Sequence, residues 1–214
     1  MLPPLPEYLW DRTKAAHLLN RAGFGGTPGQ IDKLVAMGVG KAVESFLSAD
    51  DDSDLFPLPP MVEPPARLEF KRRLKEALTD DDRKQIRREL GEADRLSMLD
   101  LRIWWLNRMR YTSNPLREKA TLFWHGHFAT SNQKVDNPYL MWFQNETLRR
   151  HALGKFPELL KAMSRDPAMI RWLDLGDSRK DHPNENFARE VMELFSLGEG
   201  HYTEQDIQES AKAF

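Results

Sequence analysis

A chain of 214 residues, 40% hydrophobic and 30% charged, is long enough to build a core of its own, and six Trp with eleven Phe supply the volume to fill it. A formal net charge of −2 gives no general attraction to nucleic acid or to an anionic membrane. With no cysteine, thiol catalysis, disulfides and cysteine-ligated zinc are excluded.

The N-terminal run MLPPLPEYLWDRTK carries neither a basic leader nor a long apolar stretch, so no signal peptide is expected and a cytoplasmic chain is the default. No apolar window approaches the roughly 20 residues of a membrane span, so no transmembrane segment is expected. Asp11 to Arg21 reads as a helix with Ala15, Leu18, Leu19 and Ala22 on one face. Gly23-Phe24-Gly25-Gly26 ends it, and Thr27-Pro28 restarts the chain as cap and first-turn proline. The loop lacks the glycine spacing and the preceding strand of a phosphate cradle, since Pro28 stands where the last glycine belongs. Ile31, Leu34 and Val35 mark a helix that stops at Gly38, and Ala42, Val43, Phe46 and Leu47 mark the next.

Residues 50–65, with clustered acids and five prolines, cannot form a helix and read as an extended surface loop within one domain. Residues 66–110 read as a charged helical hairpin broken near Thr79. Its basic residues alternate with acids, and Glu69–Arg73 and Arg88–Glu92 fall at helical spacing, so a nucleic-acid face is not expected. From Leu96 the pattern turns apolar, and Leu99, Ile103 and Leu106 with Trp104 and Trp105 predict a core helix. Asn114-Pro115 opens an apolar helix, taken as central, that ends near His125-Gly126-His127-Phe128. Further helices follow from Asn137-Pro138, Pro157, Asp166-Pro167, Asn184 and Thr203; prolines 28, 115, 138, 157, 167 and 183 stand where a helix begins. No period-two alternation occurs. The spacing predicts a single all-α domain, an irregular bundle of about ten short helices with the 115–128 and 184–197 segments central.

Two stretches carry residues suited to chemistry. On an ideal helix His125 and His127 point about 200° apart. If Gly126 and the polar 130–132 end the helix there, an extended segment would bring both imidazoles to one side, where a third, carboxylate ligand would complete a site for a divalent metal such as zinc, iron or manganese. The other reading packs one His beside Trp124 and Phe128 and bonds the other to a backbone carbonyl. On the 184–197 helix, Glu185, Arg189 and Glu193 stand four apart as an ion-pair ladder, while Asn186 and Glu190 occupy another line. Glu190 is the carboxylate to pair with the two histidines. His201, in a glycine turn, is a further polar candidate, and no nucleophile turn or nucleotide motif is present.

The stretches AHLLNRAGFGGTP, PLREKATLFWHGHFATS, QNETLRRHALGKFPELL, SRDPAMIRWLD and PNENFAREVMELFSLGEGHYTEQDI follow one another in the order of a known bacterial family. Through them the chain, from about His17 to its last residue, resembles domain of unknown function 1800. Members of that family run longer, so the resemblance implies the N-terminal half of one. It implies no established activity and assigns no catalytic residue. It does imply a sulfatase-like partner of the domain of unknown function 1501 family, and with it an envelope or export setting. Two functions follow as expectations: a helical interaction or scaffold module, or a metal-dependent enzyme half-domain using His125, His127 and Glu190.

Overall fold

The computed structural model describes residues 3–48, 52, 55–61, 63–179 and 183–213. Among them are eleven α-helices, two short 3-10 turns and a π-helical segment, with no β-strand: the fold is all-α. No helix of the described residues is long and apolar enough to cross a membrane. By its contacts the chain forms two compact units, one of Met1–Leu58 with Trp104–Leu122, the other of Pro59–Ile103 with Phe123–Phe214.

In the first unit, α1 (Arg12–Ala22) starts on Asp11, whose side chain accepts from the Lys14 amide. Helix α2 (Pro28–Leu47) starts on a capping box in which Thr27 and Gln30 satisfy one another's amides. Ala15, Leu19, Leu34 and Phe46 form the core between these helices, and Trp10 closes one edge by donating its indole N–H to the Leu34 carbonyl at 3.2 Å. Gly38 breaks α2 with φ +76, where the sequence places a stop. A Cβ there would also stand 2.6 Å from Glu7 Oε1, which accepts from the Val39 amide. Gly38→Ala is therefore expected to destabilise the protein by about 1–3 kcal/mol in chemical denaturation, from backbone strain and loss of that latch.

The expected surface loop at 50–65 is pinned where it can be followed; residues 50, 51, 53, 54 and 62 lie outside the described residues. Asp52 is buried, and its Oδ2 accepts from the Thr112 hydroxyl and the Ser113 amide, both at 2.7 Å. Burial pushes this carboxyl up, but the hydrogen bonds from Thr112 and Ser113 outweigh it and hold Asp52 below the usual carboxylate range. The Phe56 carbonyl accepts from Trp104 Nε1 at 3.2 Å. Beneath this loop lies a buried ion pair, Arg108 Nε to Glu118 Oε1 at 2.9 Å, with Trp105 Nε1 donating to the other Glu118 oxygen at 3.1 Å.

In the second unit, α3 (Pro64–Glu76) and the 80–103 part of α4 (Asp80–Tyr111) form the charged hairpin, turning at Thr79, which makes a capping box with Asp82. The cross-pairs Arg67–Asp94 and Arg73–Glu89 run in opposite chain order, so the two helices are antiparallel. Local pairs form at i,i+3, Glu69–Arg72 and Glu92–Arg95, in place of the i,i+4 pairs expected. Helices α7 (Pro138–His151), α8 (Phe156–Met163) and α9 (Pro167–Trp172) enclose a core of Phe128, Leu148, Leu159, Met163, Met169 and Phe187. Pro138 and Pro167 open their helices as read, Pro157 is second in α8, and Pro183 precedes the Asn184 cap of α10 (Glu185–Glu190).

Candidate functional site

Helix α5 (Pro115–His127) does not end before its histidines; it runs through both. Phe128 N–H still bonds the Trp124 carbonyl at 2.8 Å, closing the last turn. Two residues of helical twist therefore send His125 and His127 in divergent directions.

His127 enters an aromatic cluster, with ring centroids 4.8 Å from Phe128, 5.6 Å from Trp124 and 6.1 Å from Phe195. Its Nε2 lies 3.1 Å from the Phe195 carbonyl oxygen. A carbonyl only accepts, so Nε2 is the donor in this contact. One histidine thus does both jobs of the packing reading. His125 is half-buried, and burial lowers its pKa below the usual 6.5, so the ring is neutral at pH 7.

The carbonyl that His127 meets exists because the next helix loosens. After α10 the chain widens into a π-helical segment, Val191–Ser196, and Leu197 N–H reaches back five residues to Met192 O at 2.8 Å. Carbonyls at a helix C-terminus lack intrahelical donors, and the imidazole supplies one to Phe195. His127→Phe keeps the ring and removes the bond. The expected cost is about 1–2 kcal/mol by denaturant titration, with the aromatic near-ultraviolet signal retained.

The remaining polar candidates lie on α10 and beyond. Arg189 does not join a ladder with Glu185 and Glu193; its guanidinium forks onto Glu204 of α11 (Glu204–Ala211) at 2.8 and 2.7 Å. Glu193 accepts instead from the Tyr202 hydroxyl at 2.6 Å, and that bond pushes the Tyr202 pKa up to about 12. Glu190 is half-buried, while Asn186 and His201 are exposed. Among the described residues, no group of three or more His, Asp or Glu side chains is placed to hold a metal ion.

A second polar cluster was not visible in sequence. Gln144, fully buried on α7, accepts from the Thr130 hydroxyl and donates to Asp166 Oδ1 at 2.9 Å. The same Oδ1 accepts from Met169 N and caps α9. Asp166 Oδ2 is buried with no hydrogen-bond partner among the described residues. Burial pushes the Asp166 carboxyl from 3.8 up to about 6, against its hydrogen bonds. Sequence marks Asp166 as a cap before Pro167, but nothing local places Gln144 opposite it.

A family model described as protein of unknown function (DUF1800) matches residues 17–214. The chain belongs to this family. No curated protein and no solved structure matches it.

The other departure in this DUF1800 chain is the rotation of α4. Leu99, Ile103 and Leu106, expected in the core, are 48%, 48% and 63% exposed, and Leu96 is 47% exposed. The buried line is Asp94, Ser97, Leu101, Trp104 and Arg108, on the opposite face. Both lines follow 3-4 spacing, so periodicity alone favours neither. Ion partners decide: Arg67 draws Asp94 inward and Glu118 draws Arg108 inward, since neither charge can be buried unpaired. The leucine line is left facing solvent.

Proposed function

We propose that this DUF1800 chain is a helical interaction module. The observation carrying the reading is the apolar ridge of α4, where Leu96, Leu99 and Ile103 stand about half exposed on the face opposite the buried one. Single exposed leucines are ordinary, whereas three in register on one helix mark a contact surface. The metal-dependent alternative is disfavoured by the helical register of His125 and His127 and by the use of His127 Nε2 on Phe195. Metal analysis of the purified protein beside a His125→Ala/His127→Ala variant separates the two classes. The interaction reading expects no stoichiometric metal lost with the histidines. The family resemblance supplies one candidate partner, the sulfatase-like protein, and an envelope setting. The direct test places a photo-crosslinking amino acid at position 99 in the producing cell, and at Arg87 as an exposed control on the far side of α4. Discrete protein adducts from position 99 alone are expected. Their absence would overturn the reading.

A further inference from the structure

We infer that the hollow between the Gly23–Gly26 loop and the end of α4 is a binding site for a small aromatic carboxylic acid. It measures about 600 Å³, the size of a pocket that takes a small organic molecule, and every lining residue belongs to the first unit. One wall is Leu19 with the loop; the other is Leu106, Met109 and Tyr111 of α4 with Pro115 of α5. Phe24 and Tyr111 carry exposed rings, so the lining offers flat as well as aliphatic surface. The loop wall is bare backbone held in place. A Cβ on Gly26 would stand 2.7 Å from Leu19 Cδ1, and one on Gly23 would stand 3.2 Å from Pro115 Cβ, so the loop lies directly on α1 and α5. Gly25 turns it at φ +96 and donates its N–H to the Leu19 carbonyl at 3.2 Å. Lys119 of α5 adds a second tie, its ammonium 5.1 Å over the Phe24 ring.

Charge names the ligand. Arg110 is the one charged residue among those that line the hollow. Its guanidinium lies 5.0 Å over the Tyr111 ring, which keeps its N–H fork at the edge of the stack, and it makes no ion pair among the described residues. Gln30 adds a donor. Its Oε1 accepts from the Thr27 amide at 2.7 Å, so Nε2 is the group left to give, and it donates to no partner among the described residues. The carboxylate that meets the lining, Asp52, bonds the Thr112 hydroxyl and the Ser113 amide and lies 3.9 Å from Arg108, so its charge is already matched. Two uncommitted donors beside apolar walls, with no acid lining them, suit a carboxylate carried on a ring. A neutral ligand would leave Arg110 unmatched, and a bare inorganic anion would leave the walls uncovered.

Isothermal titration calorimetry on the whole chain tests this with naphthoate, phenylpropionate, naphthamide and acetate. The two ring-bearing acids should bind saturably. Naphthamide, the same ring without the charge, should bind about tenfold more weakly, and acetate, the charge without the ring, should not saturate. Arg110→Gln changes an exposed side chain and leaves the buried Arg108–Glu118 pair intact. It should weaken naphthoate about tenfold and leave naphthamide unchanged, which also shows that the variant is folded. Leu106→Ala should weaken naphthoate and naphthamide alike, and Arg87→Gln, exposed elsewhere on α4, should change neither. No saturable binding of either acid overturns the site. Equal affinity for naphthoate and naphthamide overturns the charge assignment. Naphthoate binding that survives Arg110→Gln undiminished overturns its place in the fold, and acetate binding as tightly as naphthoate overturns the role of the apolar walls.

Discussion

Arg108→Ala is expected to lower the unfolding free energy by about 3–5 kcal/mol, the largest effect of any single change proposed for this chain. Arg108 is 3% exposed and Glu118 is 1% exposed, and Arg108 Nε donates to Glu118 at 2.9 Å. Removing the guanidinium takes from the buried Glu118 carboxylate the counter-charge that now meets it at 2.9 Å, while the Trp105 indole N–H stays bonded to it. The loss extends beyond charge. The guanidinium also lies 5.1 Å over the Phe56 ring and 5.6 Å over Trp104, and its Nη2 is 3.9 Å from Asp52, so the anchor of the 52–56 segment loosens with it. Exchanging both partners together, Arg108→Met with Glu118→Leu, should recover much of the loss, because neither charge of the pair is then buried without the other and Asp52 keeps its hydrogen bonds from Thr112 and Ser113. Guanidinium titration of the three variants checks this. A single variant within about 1 kcal/mol of wild type would show that the pair contributes no more than a surface bridge.

Asp166→Asn should stabilise the protein at neutral pH, and the gain should disappear in acid. The carboxyl titrates near 6 in the fold against an ordinary 3.8. A raised carboxylate pKa means the folded state prefers the neutral acid. That contribution is complete below pH 3.8 and is lost as pH rises through about 6. Two pKa units at about 1.4 kcal/mol each bound the penalty at about 3 kcal/mol above pH 7. Asparagine keeps an oxygen for the Met169 and Gln144 donors that Oδ1 now receives, so the cap on α9 survives the exchange. The difference in unfolding free energy between variant and wild type should therefore grow between pH 4 and 6 and level off above. His125 tilts the absolute curve the other way: its lowered pKa contributes stability above 6.5 that is lost on acidification. Being present in both proteins, it cancels in the difference. A gain independent of pH, or a loss at pH 7.5, would show that Asp166 is not held as a strained buried carboxylate.

Much of the architecture was legible because it is local. Pro28, Pro115, Pro138 and Pro167 start helices, Asp11, Thr27, Asn137, Asp166, Asn184 and Thr203 cap them, and Gly38 interrupts one. Each choice is decided within a few residues, by a missing N–H, a short acceptor side chain or an absent Cβ. The π segment at Val191–Ser196 was not legible, since α and π windings share the same apolar face over six residues.

By itself, then, the sequence determined an all-α chain, most of its helix starts and caps, its membership signature and the balanced hairpin. Tertiary structure alone decided which face of α4 turns inward, where His127 points and which carboxylate is buried. The physical reason is common to all three. A periodic apolar line specifies a face but not its partner, and a buried polar atom chooses its orientation by whichever opposite group the distant chain supplies. Arg67 for Asp94, Glu118 for Arg108, the Phe195 carbonyl for His127 and Gln144 for Asp166 lie between 10 and 68 residues away along the chain. The first two of those contacts turned a predicted core stripe into the exposed ridge on which the proposed function rests.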